Sequence, residues 1–203
     1  MASLNAPTLL LDKEIRDMLI GLGEVEIAED FLVFTNYPFE PSIAYKQGII
    51  TYQQIDDMDC ESSPPTLRIK DELIFLSAQK TEALKAFAMR HNITQTKRPM
   101  IWEWILEPFL DTELSAQTDL KLMGILEEYG LSAESVRTLR AEVETQMLTY
   151  NFDTMLWEWR SFDASDVLRA MRTTYDQKTF ADFYQRVMHI ALLPHKKAYN
   201  VLE

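Results

Sequence analysis

The chain has 203 residues, 47% hydrophobic and 26% charged, and its 32 acidic against 20 basic side chains give a formal charge of −12. That composition supports a buried core and excludes a chain that stays disordered for want of apolar surface. The dense basic spots are confined to Lys97-Arg98 and Lys196-Lys197, so no phosphate-backbone stripe forms and nucleic-acid binding is not expected; a basic protein partner suits the charge better.

The first half reads as strands. Glu24 to Phe34 alternates in part and ends in the dense run Phe31-Leu32-Val33-Phe34, and Ile49-Ile50-Thr51-Tyr52 is rich in branched and aromatic residues. Thr66 to Leu76 forms a hairpin with its bend at Lys70-Asp71, while Pro38, Pro41, Pro64 and Pro65 punctuate the loops. Near residue 77 the period switches to helical. Ser77 caps a helix to about His91, Pro99 opens one over about residues 99 to 111, and Thr112 or Ser115 caps residues 116 to 129 before Gly130. Ser132 opens a helix carrying Val136, Leu139, Val143 and Met147, and Asp163 caps residues 164 to 175. The last helix carries Phe180, Phe183, Tyr184, Val187, Met188 and Ala191, and Pro194 stops it.

The pattern predicts an α+β fold, a small antiparallel sheet of three or four strands followed by a region of about six helices. Residues 1–98 form a small α+β unit with a hairpin and closing helix, and residues 99–203 form a helical unit packed against it. With five glycines in the chain, glycine-lined cofactor loops are hard to build, and neither the dinucleotide nor the phosphate-loop pattern occurs.

Other chemistries lack their parts. His91, His189 and His195 show no metal-ligand spacing; His189 reads as a hydrogen-bonded structural residue beside the last apolar stripe, and His195 as exposed. The acidic run Asp56-Asp57-Met58-Asp59-Cys60-Glu61 fails as a calcium loop, with Ser62 where glycine belongs and Arg68 where the bidentate glutamate belongs, and reads as a solvated acidic turn. Cys60, the lone cysteine, excludes an internal disulfide, and its carboxylate neighbours raise its pKa against nucleophilic use. No cofactor and no metal is expected, and no catalytic residue is assignable. No apolar run approaches the roughly 20 residues of a spanning helix, so no membrane contact and a cytoplasmic location are expected.

All four tryptophans fall in two Trp-Glu-Trp copies, Trp102-Glu103-Trp104 and Trp157-Glu158-Trp159. On a helix, residues two apart point about 200° from each other, so Trp102 aligns with Ile105, Leu106 and Phe109 while Trp104 faces elsewhere. What covers Trp104 decides between core, partner and pocket. Glu103, Glu107 and Asp111 form a carboxylate ridge on the same helix, where mutual repulsion raises one pKa if the ridge faces a cleft. Tyr37, Phe39 and Tyr45 surround the Pro38/Pro41 loop, which either covers the sheet or joins the tryptophan helix in a recognition surface.

The candidate ligand or interface residues are therefore Trp102, Trp104, Glu103, Glu107, Tyr37, Phe39 and Tyr45. The favoured function is a non-enzymatic protein-interaction module, an oligomer, adaptor or inhibitor, that meets a protein partner or a second copy of itself. Two alternatives remain. One is a small-molecule enzyme or binding protein with a pocket of tryptophan, glutamate and Tyr184; the other is an acidic nucleic-acid mimic.

Overall fold

A computed structural model describes residues 21–110, 114–154 and 161–196. The fold is α+β, with small sheets in the first half and six α-helices among the described residues. The strands are β1 (Glu24–Ile27), β2 (Phe31–Thr35), β3 (Ile49–Thr51), β4 (Asp57–Asp59), β5 (Thr66–Ile69), β6 (Glu72–Phe75) and β7 (Thr94–Gln95). The helices are α1 (Thr81–Arg90), α2 (Ile101–Leu106), α3 (Ala116–Glu128), α4 (Ala133–Thr154), α5 (Ala164–Arg172) and α6 (Gln177–Ala191). The strands make two sheets rather than one. Antiparallel β1-β2-β3 forms the first, and β6-β5-β4-β7 the second, where β7 pairs parallel to β4. The segment from Glu24 to Phe34 is thus a hairpin, with Val25 opposite Phe34 and Ile27 opposite Leu32. Gly23 enters β1 at a φ of 73°, where a Cβ would lie 2.6 Å from the Thr35 carbonyl oxygen, so no other residue fits without strain.

The chain divides into two compact units. One takes Ile20–Pro99 with Gln177–Leu192, the other Met100–Asp176 with the residues from Leu193 on. The last helix, expected with the helical region, thus groups with the sheets. Its apolar stripe is the reason: Phe180, Phe183, Tyr184, Val187, Met188 and Ala191 are all buried, and the Leu73 amide of β6 donates to the Met188 sulfur at 3.3 Å. Around it gathers an aromatic core in which Phe39 meets Tyr37 at 5.5 Å, Tyr184 at 6.2 Å, Phe75 at 6.4 Å and Phe180 at 6.5 Å between ring centroids.

The middle of the acidic run is not a solvated turn, although Asp56 and Glu61 at its ends are exposed. Asp57–Asp59 form β4, where Asp59 is 1% exposed and its carboxylate accepts from the amides of Glu61, Ser62 and Arg98. Asp57 pairs with Arg68 at 2.6 Å and with Arg98. Sequence reading saw the negative charges but not the two arginines that arrive from distant positions to neutralise them. Cys60 behaves as expected in direction: burial first, aided by Asp59, pushes its thiol up, while the Gln95 hydrogen bond acts against it. His189 is exposed rather than structural.

In the helical unit α2 is shorter than the expected 99 to 111. Pro108 lacks an amide hydrogen, and the chain tightens into a 3-10 turn over Glu107–Phe109. The other starts follow their caps: Ser115 accepts from the Thr118 amide, Ser132 from the Ser135 amide, and Asp163 from the Ser165 amide with Asp166 closing a capping box. Gly130, at a φ of 91°, ends α3, and Val136, Leu139, Val143 and Met147 are buried along α4.

Candidate functional site

The first tryptophan helix separates its two rings as helical geometry requires. Trp102 is 2% exposed and joins Ile101, Ile105, Leu106 and Phe109 in the core, whereas Trp104 is half-buried. A neighbouring ring covers Trp104 in part: Tyr129, just past α3, lies 5.6 Å away, and His195 stands edge-on to Tyr129 at 5.1 Å. The His195 Nε2 meets the Glu128 carboxylate at 2.8 Å, so this histidine, expected to be exposed, is held against the helical unit. Asp111 and the second copy, Trp157-Glu158-Trp159, lie outside the described residues.

The position of α2 is set by a residue that sequence reading passed over. Arg140 of α4 donates from Nε to the Ile105 carbonyl at 2.9 Å and from Nη2 to the Trp104 carbonyl at 3.3 Å, while Nη1 meets Asp119 of α3 at 2.8 Å. One guanidinium thus satisfies carbonyls at the end of α2, where the helix has no further amides to offer them, and ties them to two other helices. Nothing in the sequence around Arg140 sets it apart from the other charged residues of α4.

Glu103 and Glu107 are both half-buried on this helix. Burial, and after it the Glu103 charge, pushes the Glu107 carboxyl above the ordinary range. A second acidic group lies at the start of α5. Asp166 accepts from the Tyr150 hydroxyl and from the Asp163 amide, each at 2.9 Å, and meets Arg169 at 3.3 Å. Burial followed by the Asp166 charge raises the Asp163 carboxyl, and burial followed by the same charge raises the Tyr150 phenol.

Tyr37 and Phe39, whose loop the sequence leaves open to either covering the sheet or forming a recognition surface, are 1% and 0% exposed and belong to the aromatic core. Pro38 breaks the strand pattern and makes the loop look peripheral, but the rings on either side turn inward. Tyr45 is half-buried and donates to Glu40 at 2.9 Å. Tyr184 also serves the core of the sheet-bearing unit: its hydroxyl donates to Glu72 at 2.8 Å, and Ser42 donates to the same carboxylate oxygen. Burial, and after it Tyr37 and Glu72, holds the Tyr184 phenol well above its ordinary value.

Among the described residues of the helical unit, the most exposed large apolar side chain is on α3. Among the buried residues of this 13-residue helix only Leu126 appears, while Leu120 is 73% exposed, Ile125 is exposed, and Leu122 and Met123 are half-buried. Ala116, Leu120 and Met123 fall on one stripe, spaced four and three apart, and beside them a Cβ on Gly124 would meet nothing within 4 Å. Two open grooves of about 750 and 550 Å³ lie on the sheet-bearing unit, and none of the candidate ligand or interface residues lines either of them.

A family model described as Domain of unknown function (DUF7079) matches residues 96–199, just over half of the chain. The chain belongs to that family. The DUF7079 match covers α2 to α6 and so includes Trp104, Arg140 and the exposed stripe of α3, whereas β1 to β7 lie ahead of it. No curated protein and no solved structure matches the chain. Among the described residues no helix is long and apolar enough to cross a membrane, and no cluster of three or more His, Cys, Asp or Glu side chains is placed to hold a metal ion.

Proposed function

We propose that the chain is a non-enzymatic protein-interaction module that self-associates through α3. The observation that carries this reading is the open apolar stripe of Ala116, Leu120 and Met123. Leu120 projects and Gly124 leaves a gap on the same side of the same helix, so a second copy related by a two-fold axis can seat each leucine in the other's gap. The hairpin of α3 and α4, joined by a short loop, is the unit from which four-helix bundles are assembled.

Size sets the strength. A 13-residue helix is about 20 Å long, and a face two helices wide offers on the order of 400 Å², below the roughly 800 Å² per partner of a standard stable interface. The dimer is therefore reversible and depends on concentration. Because each copy carries −12, salt screens the repulsion between copies and tightens the dimer, the opposite of its effect on a basic partner. Leu120→Asp, which places a charge in the stripe, is expected to weaken association at least tenfold without loss of helix content, as measured by sedimentation velocity and circular dichroism. Equal association of the variant would remove the reading.

A second reading, a ligand-binding pocket beside the tryptophan helix, rests on Glu103, Trp104 and Glu107 standing half-buried side by side along α2 and the turn after it. Its electrostatic part is checked by Glu103→Gln. Removing the neighbouring charge is expected to lower the Glu107 titration midpoint, followed by carboxyl-carbon NMR, while the burial contribution stays. An unmoved midpoint would show that the two carboxylates do not act as a pair.

A further inference from the structure

The open edge of β1 offers a site of a different kind, on the sheet-bearing unit and independent of the α3 reading. In an antiparallel ladder each residue directs its amide and carbonyl to one side, and successive residues alternate. The Phe34 amide donates to the Gly48 carbonyl at 2.8 Å and the Asn36 amide to the Lys46 carbonyl at 2.7 Å, so these residues of the β2 strand and its extension face the β3 side. Val33 and Thr35 then face β1, where their partners are Glu26 and Glu24. Val25 and Ile27 are left with their amides and carbonyls directed away from the sheet. Among the described residues β1 is the end strand, and no other strand takes up these groups.

Among the described residues no strand seals this edge. The groove of about 750 Å³ runs along it, with Glu24–Ile27 on one wall and Ser77, Lys80 and Ala83, where the chain enters α1, on the other. Strand alternation sorts the side chains of β1 as well: Val25 is buried and Ile27 half-buried on the inner face, while Glu24 and Glu26 are exposed on the outer face. We infer that the β1 edge is a recognition site for an extended basic segment of another protein, which adds to the sheet as a strand. Its backbone would pair with Val25 and Ile27. Every second side chain would be a lysine or arginine beside Glu24 and Glu26, and the intervening ones would be apolar residues beside Val25 and Ile27. Charge complementarity selects this occupant: two carboxylates stand against one ammonium, Lys80, at the groove, on a chain of net charge −12.

The test uses the full chain and a fluorescein-labelled eight-residue peptide that alternates lysine and valine, read by fluorescence anisotropy. Two control peptides replace lysine by glutamate or methylate alternate backbone amides. Saturable binding is expected, with slowed exchange of the Val25 and Ile27 amides. Affinity should fall at least tenfold for the glutamate peptide, for the methylated peptide and for the double variant Glu24→Lys, Glu26→Lys. Ile27→Pro removes an outward amide, a change that edge strands tolerate, and should lose binding with the circular dichroism spectrum retained. Leu120→Asp should bind the peptide as the parent does, which separates this site from the α3 surface. No binding, or binding indifferent to methylation or to charge reversal at Glu24 and Glu26, would overturn the inference. So would a dimer abolished by Ile27→Pro in a chain that ignores the peptide, because the edge would then belong to a second copy.

Discussion

Phe39→Ala is expected to destabilise the sheet-bearing unit by about 3 to 5 kcal/mol, the cost of deleting a large buried ring that its surroundings cannot refill. Phe39 touches four other rings, contributed by the loop before β3, by β6 and by α6, and none of its own surface reaches solvent. These contacts span sequence separations from two residues to well over a hundred, so the cavity would loosen the seat of α6 as well as the loop. Urea denaturation followed by far-ultraviolet circular dichroism measures the loss. A cost below about 1 kcal/mol, the scale of ordinary surface substitutions, would mean that Phe39 faces outward and that the loop is a recognition surface after all.

The second large effect belongs to Arg140. Arg140→Leu is expected to cost the helical unit about 3 kcal/mol, because the Ile105 and Trp104 carbonyls lose their donors, and an unsatisfied buried carbonyl costs roughly 1 to 3 kcal/mol. The ion pair itself matters less. Asp119 is more than a third exposed and can return to water, so Asp119→Asn should cost under about 1 kcal/mol. Arg140→Lys should rescue little, because a compact ammonium cannot reach three acceptors that a planar fork bridges together. All four tryptophans lie between residues 100 and 176, so their fluorescence during urea unfolding reports the unit that holds Arg140. Equal costs for Arg140→Leu and Asp119→Asn would assign the stabilisation to the ion pair and contradict the carbonyl account.

Both sites show where sequence reading succeeds and where it stops. Periodicity and capping residues located α3 to α6 because those signals are local: Ser115, Ser132 and Asp163 bond to amides within three residues. The Thr66 to Leu76 hairpin was legible for the same reason, with its bend at Lys70 and Asp71. Features built from long-range pairing were not legible. Asp57 and Asp59 look like a solvent-facing acidic turn until Arg68 and Arg98 are brought to them, and Arg140 looks like any helix-surface arginine until α2 ends against it. Of the two roles that the Pro38/Pro41 loop left open, Tyr37 and Phe39 take the inward one, because their rings fill the space between sheet and α6, a long-range contact that the local pattern does not show. For the candidate site, the sequence separated Trp102 from Trp104 correctly by helical angle. It missed the exposed stripe on α3, because leucine and methionine at helical spacing read as core when their neighbours are not yet known.

Self-association through α3 is tested most directly by sedimentation equilibrium of the full chain over a wide concentration range, at low and moderate salt, for the parent and for Leu120→Asp. The parent mass is expected to rise from 23.7 kDa toward twice that value with concentration, and at lower concentration when salt is added, while the variant stays at 23.7 kDa. A parent that remains at 23.7 kDa under every condition, or a variant that dimerises as the parent does, would contradict it.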